Sequence, residues 1–378
     1  MSPNPDPRFP ISESQIYLNH AAVSPLPRPG QEAIATYARE CCEEGLKAFP
    51  RWIARNDAAR REAATLLGAD AGEIAFVKST THGLQIVANS VNWRAGDVIV
   101  VEEHAFPANW YVWKSLEERF GVRVVQWPER PDYTFAIEEL EPILADHPVR
   151  MVALTAGHYA TGFRHDLAAV GEKVKAAGAL YCLDAIQVLG AVPVDVRDCR
   201  ADFVSADGHK WLLGPEGCGV FYVRRAVLGE LNDSMCGWLG REKIDDYEAR
   251  NLAPHPEARR FEEGAPNHMG MHGLGAALAI FNTVGMEEVW RRIQANTRVL
   301  REGLETQGWR AISSTDPAHA TGILAMAHAE HDPVELAKKL MAGGISLSSR
   351  RGFLRLAPHF YNSPEQMEMV VETIERLA

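Results

Sequence analysis

Long apolar runs, a secretion signal and concentrated positive charge are all missing from this 378-residue sequence. No uninterrupted apolar stretch reaches the roughly 18 residues that a membrane-spanning helix needs, and the first ten residues lack the basic start and apolar core of a signal peptide. No block of lysine and arginine stands out, and the formal net charge is −11, which argues against an extended nucleic-acid surface. We therefore expect a cytoplasmic protein without membrane or nucleic-acid partners.

Cysteine is also scarce, with six in the chain. No two cysteines have Cys-x-x-Cys spacing and no matched histidine spacing accompanies them, so we expect no metal site. In a large cytoplasmic chain, cysteines are expected to be reduced, small and buried. The cysteines are Cys41, Cys42, Cys182, Cys199, Cys218 and Cys236.

What the chain does contain is an alternation of short apolar segments and helical patterns. This alternation predicts an α/β fold with a mostly parallel sheet that helices cover on both faces. The length and the hydrophobic fraction of 46% allow a large core and two or three domains. The seven strand-like segments are 73–77, 97–101, 122–125, 150–154, 180–184, 202–205 and 219–223.

Outside these segments, two long stretches have helical spacing, at 31–67 and 273–304. The C-terminal part predicts a smaller α+β unit. Its expected strands are 322–327 and 354–356, and its expected helices are 333–341 and 363–377.

One lysine follows an apolar segment in an unusual setting. Lys210 lies in the run Ser205-Ala-Asp-Gly-His-Lys-Trp211, which two leucines follow. Lysines are normally kept on wet surfaces. Burial among these apolar neighbours would lower the pKa of the amine and make it a usable nucleophile, as a Schiff-base lysine requires. Taken alone, the run is also typical of a solvated turn.

Other chemically capable residues follow predicted strands too. Thr80 and Thr81 lie in a hydroxyl-rich turn that opens a helix, an arrangement suited either to simple capping or to binding an anion. Asp184 ends another predicted strand. Ligands of open α/β sheets bind beyond the carboxyl ends of the strands, so we expect these residues and Lys210 to form one site.

The order and spacing of these motifs resemble the class V aminotransferase and cysteine desulfurase superfamily of fold-type I pyridoxal-phosphate enzymes. The resemblance covers most of the chain, and the motifs are more specific together than any one of them alone. They are Tyr17-Leu-Asn, Ser79-Thr-Thr, Phe106-Pro-Ala-Asn, Asp184-Ala-Ile-Gln187, Gly208-His-Lys-Trp-Leu-Leu-Gly-Pro, Phe261-Glu-Glu-Gly, Pro266-Asn267 and Leu354-Arg355.

The resemblance implies a fold, a cofactor and an assembly. The fold would be the fold-type I arrangement, with a large domain around a mostly parallel seven-stranded sheet and a small α+β C-terminal domain. We assign residues 16–260 to the large domain, and residues 1–15 and 261–378 to the small one. The cofactor would be pyridoxal 5'-phosphate, and the protein would be a homodimer with phosphate contacts across the subunit interface.

The resemblance also implies roles for individual residues. Lys210 would hold the cofactor as a Schiff base and then move the proton at the substrate α-carbon. Asp184 would pair with the pyridine nitrogen, Gln187 would hydrogen-bond the ring hydroxyl, and Phe106 would stack on the ring. The implied cofactor-binding set is Thr80, Thr81, Phe106, Asp184, Gln187, Asp207, His209, Lys210, Asn267 and His268.

On the substrate side, Arg355 resembles the family arginine that takes the substrate carboxylate bidentately. Tyr159 falls near a substrate-side position, and Tyr159 and His20 are the candidates for a second proton donor opposite Lys210. The chain also departs from the family pattern, because Ala265 replaces a threonine that is common before Pro-Asn. Asp207 likewise stands where many relatives have serine or threonine near the phosphate. One or two phosphate hydrogen bonds are therefore either missing or supplied by His268, from the same subunit or from a second one.

A further departure bears on the reaction. Desulfurases carry a nucleophilic cysteine just before the carboxylate-binding arginine, and the corresponding stretch 346–353 has none. We therefore expect an amino-acid lyase of the C–S or β-elimination type, or an aminotransferase, and not a persulfide-forming desulfurase. The alternatives are an epimerase of the isopenicillin-N-epimerase-like type and a non-catalytic protein that retains the cofactor.

Overall fold

The computed structural model describes residues 6–244, 246, 248, 250 and 253–377. Its centre is a sheet of seven strands among the described residues, in the order β2-β8-β7-β6-β5-β3-β4. The strands are β1 (Ile16–Tyr17), β2 (Ile74–Val77), β3 (Val98–Glu102), β4 (Arg123–Trp127), β5 (Val149–Thr155), β6 (Leu180–Asp184), β7 (Phe203–Asp207), β8 (Gly219–Val223), β9 (Arg310–Ala311), β10 (Leu324–Ala327), β11 (Ile345–Ser346), β12 (Ser348–Arg350) and β13 (Phe353–Leu356).

Helices cover both faces of this sheet and flank a smaller one. The helices are α1 (Arg28–Glu43), α2 (Phe49–Leu67), α3 (Thr80–Ser90), α4 (Ala108–Phe120), α5 (Ile137–Asp146), α6 (Leu167–Ala176), α7 (His268–Val284), α8 (Met286–Thr306), α9 (Pro333–Ala342) and α10 (Pro364–Leu377). One large hydrophobic cluster lies on each face of the central sheet. Among the described residues, no helix combines the length and the hydrophobicity required to cross a membrane.

The sheet is parallel except at β8, which runs antiparallel to both β7 and β2. The mostly parallel sheet expected from the alternation of apolar segments is therefore confirmed. The direction of β8 was not predicted, because a strand buried on both faces is a continuous apolar run in either direction. Every residue of β8 is buried.

A second sheet has the order β12-β13-β10-β9 and is antiparallel throughout. Together with α9 and α10 it forms the small α+β unit that the C-terminal sequence predicts. Leu324, Leu354 and Leu356 lie in its hydrophobic cluster, which also contains Ile16 from the N-terminal segment. The N-terminal segment joins this unit because β1 pairs in parallel with β11.

Each long helical pattern is divided into two helices. The chain turns between α1 and α2 at Gly45, which has a φ of +56°, and between α7 and α8 at Gly285, which has a φ of +86°. A residue other than glycine would be strained at such angles. The hydrophobic periodicity does not reveal either interruption, because one glycine scarcely alters a pattern that extends over roughly 30 residues.

The packing also bears on the expected domain division. Helix α7 packs against α1 and α2, and its Leu274 lies in the hydrophobic cluster of the central sheet. The N-terminal residue Phe9 lies in that same cluster. The division into residues 16–260 and residues 1–15 plus 261–378 stays a prediction, and residues 1–5 of the small domain lie outside the described residues.

Candidate active site

The carboxyl ends of the parallel strands meet at one edge of the central sheet and position most of the predicted residues. Thr80 follows β2 and Phe106 follows β3. Tyr159 follows β5, Asp184 is the last residue of β6, and Lys210 follows β7. The ends of the strands therefore bring the backbones of these residues to one edge of the sheet, as expected.

Lys210 is partly buried at this edge. Burial lowers the pKa of its amine to about 8; the nearby Asp184 carboxylate opposes the shift, and the Arg355 guanidinium adds to it. Its Nζ lies 5.6 Å from the centroid of the Phe106 ring. A lysine with this pKa has a substantial neutral fraction near neutral pH, which is the form that attacks a carbonyl group.

Asp184 is only 1% exposed. Among the described residues, its carboxylate accepts one hydrogen bond, at Oδ1 from the Ile186 N–H at 3.1 Å. Burial raises the pKa of this carboxyl group to about 7, while that hydrogen bond and Lys210 both lower it. A buried carboxyl group with so few partners is suited to pair with a cationic N–H that a ligand brings into the site.

Gln187 lies one turn beyond Asp184 and is also 1% exposed. Its Nε2 donates to the Ala21 carbonyl at 3.1 Å, and its Oε1 accepts from the Trp211 indole N–H at 3.0 Å. These two contacts fix the orientation of the amide and leave one N–H of Nε2 to donate. The hydrogen bond from the Trp211 indole links Trp211, the residue after Lys210, to the segment that follows β6.

The start of α3 lies beside the end of β7. The Asp207 N–H donates to Thr80 Oγ1 at 2.9 Å, and Ser205 Oγ donates to the Thr80 carbonyl at 3.0 Å. Ser79 caps the helix by accepting from the His82 N–H. Thr81 follows Thr80 in the first turn, where free backbone N–H groups and the helix dipole favour an anion.

Asp207 and His209 leave polar atoms unused at this position. Asp207 Oδ1 is buried without a hydrogen-bond partner. His209 Nδ1 lies 3.1 Å from Asp207 Oδ2 but does not form a hydrogen bond with it. Two such groups side by side are costly unless a ligand or a second chain completes their hydrogen bonds.

Arg355 is 2% exposed and has no carboxylate partner among the described residues. Its Nε donates to Ser348 Oγ at 3.1 Å and its Nη1 to the Tyr159 carbonyl at 2.7 Å, whereas its buried Nη2 has no partner. Burial, followed by the Arg350 charge, lowers the pKa of this guanidinium to about 9. The group therefore stays cationic at neutral pH and lacks an anion.

Aromatic contacts connect Arg355 to the Lys210 side of the site. The Phe106 ring lies 5.4 Å from the Tyr159 ring, edge to face, and also faces the Lys210 amine. The Tyr159 backbone accepts from Arg355, as above. Phe106 is 42% exposed, so one face of its ring is available to a ligand.

His20, the other candidate proton donor, has both ring nitrogens engaged by the protein. Its ring is fully buried, and Nδ1 lies 2.7 Å from the Ala357 carbonyl, to which it must donate. Its Nε2, 2.7 Å from the Tyr361 hydroxyl, then accepts. Burial holds the pKa of His20 well below its usual range. Both ring nitrogens are engaged, and the ring has no free proton to offer a substrate.

Asn267 and His268 lie at the start of α7. Asn267 is exposed, caps the helix and donates to the Gly217 carbonyl at 3.0 Å. The His268 ring packs on Trp52 between α7 and α2, and its Nδ1 lies 2.9 Å from the amide nitrogen of Asn56. Within one chain these contacts do not direct His268 toward Lys210, and the phosphate contact from a second subunit stays a prediction.

Sequence reasoning passed over a further pair, His268 and His272, at the i, i+4 spacing of helix-borne metal ligands. Their ring centroids are 6.1 Å apart, and His272 Nε2 contacts the Trp52 carbonyl. Within the described ranges, no group of three or more histidine, cysteine or acidic residues is arranged to hold a metal ion.

Two residues that contribute to the site were also missed. Ser348 holds the Arg355 guanidinium, and this contact depends on the register of the β12–β13 hairpin, in which Ser348 lies opposite Arg355. Glu102 is 1% exposed and accepts from the Thr155 N–H at 3.2 Å, and its charge contributes to raising the pKa of Asp184. A signal existed for Glu102, because it is an acidic residue directly after the apolar run 97–101.

These side chains fit pyridoxal phosphate when each is compared with a part of that molecule. The buried Asp184 carboxyl would take the pyridine N–H, and the Lys210 amine would take the aldehyde. The first turn of α3, with Thr80 and Thr81, would hold the phosphate. Phe106 would offer a ring face. An anionic phosphate would not satisfy the unpartnered Asp207 Oδ1, because both groups are hydrogen-bond acceptors.

The fold and this edge together define a pyridoxal-phosphate enzyme of fold type I. The sequence model of the family described as Aminotransferase class-V matches residues 16–356. The chain therefore belongs to the class V aminotransferase family, and its cofactor is pyridoxal 5'-phosphate. The predicted family, fold and cofactor are confirmed.

Relatives within the family carry different names. The chain is 30% identical to a probable cysteine desulfurase of Methanothermobacter thermautotrophicus, over 98% of this chain and 96% of the relative. It is 27% identical to the uncharacterized aminotransferase YcbU of Bacillus subtilis, over 97% of this chain and 95% of the relative.

Solved structures support the fold. A mutant of C-DES with glycine covalently linked to its PLP cofactor has a TM-score of 0.89 and 22% sequence identity, covering 98% of this chain and 99% of that one. Another structure of C-DES is described as the cystine C–S lyase in complex with its product cysteine persulfide. The relatives thus include desulfurases, an aminotransferase and a lyase.

Proposed function

We propose that this protein acts at the α-carbon of an amino acid as a lyase of the C–S or β-elimination type, or as an aminotransferase. The observation that carries the proposal is the pairing of a low-pKa lysine with a buried guanidinium that lacks an anion, joined through Phe106 and Tyr159. A substrate carboxylate would complete Arg355, and the same substrate would place its α-carbon beside Lys210.

Each residue has a definite task in this proposal. Arg355 would bind the carboxylate through Nη2 and the remaining N–H of Nη1, and Ser348 with the Tyr159 carbonyl would hold the guanidinium in place. Lys210 would remove or return the proton at the α-carbon. When bound, pyridoxal phosphate supplies the electron sink for that carbon, and Asp184 would keep its ring nitrogen protonated.

We further propose that the chain forms no persulfide of its own during turnover. The β12–β13 turn is only two residues long, with Arg351 and Gly352 both at positive φ, and carries no cysteine. Cys182, Cys199 and Cys218 are buried, and burial raises the pKa of each thiol. A buried, protonated thiol is a poor nucleophile. Because a relative of this chain is named a probable cysteine desulfurase, the proposal needs a direct test.

The first experiment tests the lysine. The purified protein with pyridoxal phosphate should be yellow, and borohydride should trap the cofactor on a peptide containing Lys210. A Lys210→Ala variant should lose the trapped adduct, with Lys78→Ala as a control that keeps it. An unchanged adduct in Lys210→Ala would refute the assignment.

A screen then separates the reactions. Amino acids are incubated with and without a keto-acid acceptor, and pyruvate, ammonia, alanine and sulfide are measured. Keto acid and ammonia released without an acceptor would identify a lyase, whereas product that requires the acceptor would identify an aminotransferase. The absence of any product and of any spectral change with every amino acid would refute both.

Thiol chemistry has its own test. The expectation that the cysteines are buried is wrong for three of them, because Cys41 and Cys42 on α1 and Cys236 are exposed. If no chain cysteine carries sulfur, replacing these three with alanine should leave turnover within about twofold of the parent. If the triple variant loses activity, each cysteine is replaced alone. A single replacement that abolishes activity, together with a persulfide on that cysteine in the parent by mass spectrometry, would identify desulfurase chemistry instead.

Epimerisation is the second candidate, and it needs a proton donor opposite Lys210. His20 has no free proton in this structure, so Tyr159 would be the donor. Loss of optical activity from a single enantiomer in D2O, with deuterium entering the α-position and no other product, would establish it. A Tyr159→Phe variant that still racemises would remove Tyr159 from that role.

We also propose a cytoplasmic homodimer. The apolar side chains of Leu46, Phe49 and Met269 are exposed near the start of α7, where the predicted cross-subunit contacts of Asn267 and His268 would lie. Exposed apolar groups in one neighbourhood favour burial against a partner. Light scattering should give a mass near twice 41.8 kDa, and a Met269→Glu variant should reduce it.

A further inference from the structure

The β12–β13 hairpin carries a second cation that faces the site. Side chains alternate along a strand, so Ser348 and Arg350 lie on the same face of β12. Ser348 contacts Arg355 from that face. The Arg350 charge also contributes to lowering the pKa of both Lys210 and Arg355. Geometry and electrostatics therefore both place Arg350 on the substrate side of the site.

Arg350 has no ion pair among the described residues. Its Nη1 donates a hydrogen bond to the Ser349 carbonyl at 2.7 Å. Arg351, the next residue, shows the contrast, since its two terminal nitrogens each lie 2.9 Å from a carboxylate oxygen of Glu129. One of these two adjacent arginines of the hairpin is neutralised by a carboxylate of the protein, and the other is not.

The substrate side has two cations, Arg350 and Arg355, and one carboxylate would neutralise only one of them. A substrate α-carboxylate would complete the buried Arg355, and this step rests on the proposed function above. Arg350 is exposed, so it lies at the mouth of the site and not on its floor. A neutral side chain would leave the guanidinium at the mouth unpaired.

We propose that Arg350 recognises a second anionic group on the substrate side chain, which makes acidic α-amino acids the preferred substrate class. Arg355 then binds the α-carboxylate and Arg350 binds the distal carboxylate. The planar guanidinium donates two parallel hydrogen bonds to a carboxylate but finds no equivalent partner in a carboxamide of the same shape.

Isosteric ligand pairs test this assignment. The protein loaded with pyridoxal phosphate is titrated with L-aspartate and L-asparagine, and with L-glutamate and L-glutamine, and the visible spectrum reports binding. In the parent protein, at least one acidic member should bind about 10-fold or more tightly than its amide, the preference expected of a hydrogen-bonded charge pair. Arg350→Gln should reduce that preference to less than about twofold.

A matched control separates recognition from general charge. Arg310 is exposed on β9 of the same small sheet, so Arg310→Gln removes an equal charge without touching the hairpin. This variant should keep the acid-over-amide preference of the parent. Equal weakening of acid and amide in Arg350→Gln would overturn the proposal, because it would make Arg350 a source of attraction for the α-carboxylate alone.

The failure of this inference differs from failure of the proposed function. If amino acids alter the spectrum but neither acidic member exceeds its amide in the parent, Arg350 recognises no side chain while the α-carbon chemistry stands. If no amino acid alters the spectrum of the loaded protein, the proposed function itself is wrong, and the inference falls with it.

Discussion

Two buried arginines in different parts of the molecule have opposite surroundings. Arg60 on α2 is 3% exposed, and its two terminal nitrogens bind the two carboxylate oxygens of Glu262 at 2.7 and 2.9 Å. Arg355 on β13 is 2% exposed and has no acidic partner in the described part of the chain. The first region neutralises its charge internally, and the second does not.

The difference separates an arginine that the protein itself neutralises from one that, in our proposal, is neutralised by a substrate carboxylate. Taking a guanidinium out of water costs several kcal/mol unless an anion compensates it. Glu262 supplies that compensation for Arg60, and it also accepts from the Phe76 N–H at 2.8 Å, so the pair joins α2 to the edge of the central sheet. Nothing equivalent supports Arg355, and under the proposed function a substrate carboxylate would offset this cost.

The largest effect is expected from breaking the internal pair. Glu262→Gln leaves the Arg60 charge buried without an anion, and we expect the free energy of unfolding to fall by about 3–5 kcal/mol. Urea unfolding followed by circular dichroism measures it. The double variant Arg60→Met/Glu262→Gln should recover much of that loss, and an equal loss in both variants would show that the pair is not the cause.

Removing Arg355 should have the reverse pattern. Arg355→Leu should leave the unfolding free energy unchanged or raise it, because an unpaired buried charge disappears. Amino-acid affinity, measured by spectral titration of the loaded protein, should fall about 100-fold or more. Arg355→Lys keeps the charge without the two parallel N–H groups and should lie between. A marked loss of stability with unchanged amino-acid affinity would show that Arg355, like Arg60, supports the fold and does not bind the substrate.

The pH dependence of cofactor capture extends the comparison to Lys210. Burial and the Arg355 charge lower the pKa of this amine to about 8, so its neutral fraction rises through that pH. When the apoprotein is mixed with pyridoxal phosphate, the rate of appearance of the visible band should increase about tenfold per pH unit below pH 8 and then level off. A rate still rising above pH 9 would indicate an ordinary lysine.

The smallest effect is expected at Ser348. Its hydroxyl accepts from Arg355 Nε but carries no charge. Ser348→Ala should weaken amino-acid binding by about fivefold, corresponding to roughly 1 kcal/mol for one hydrogen bond. Ser349→Ala, on the other face of the same strand, is the matched control and should stay within twofold. Equal effects of the two would show that the hydroxyl does not position the guanidinium.

The sequence predicted those parts of the protein in which a local pattern determines structure. Strands β6 and β8 begin and end where their apolar runs do. The meeting of Asp184 and Lys210 followed from a general rule, because both residues end or follow neighbouring parallel strands. The roles of the individual site residues came from the resemblance and stay predictions.

What could not be predicted depends on contacts between distant segments. The support of Arg355 by Tyr159 joins residues 196 positions apart, and no periodicity encodes it. The same holds for His20, whose ring nitrogens are both engaged by the segment containing Ala357 and Tyr361. A histidine in the sequence appears able to titrate until its surroundings are known, and only the fold shows that this one is held neutral.

The hydrogen bond between Gln187 and Trp211 has a consequence for motion. The Trp211 carbonyl also accepts from His359 Nε2 at 3.0 Å, so one residue is anchored to β6 and to the C-terminal segment. Trp211 shares a peptide bond with Lys210. A rotation of the C-terminal segment that keeps this hydrogen bond would displace the backbone of Lys210.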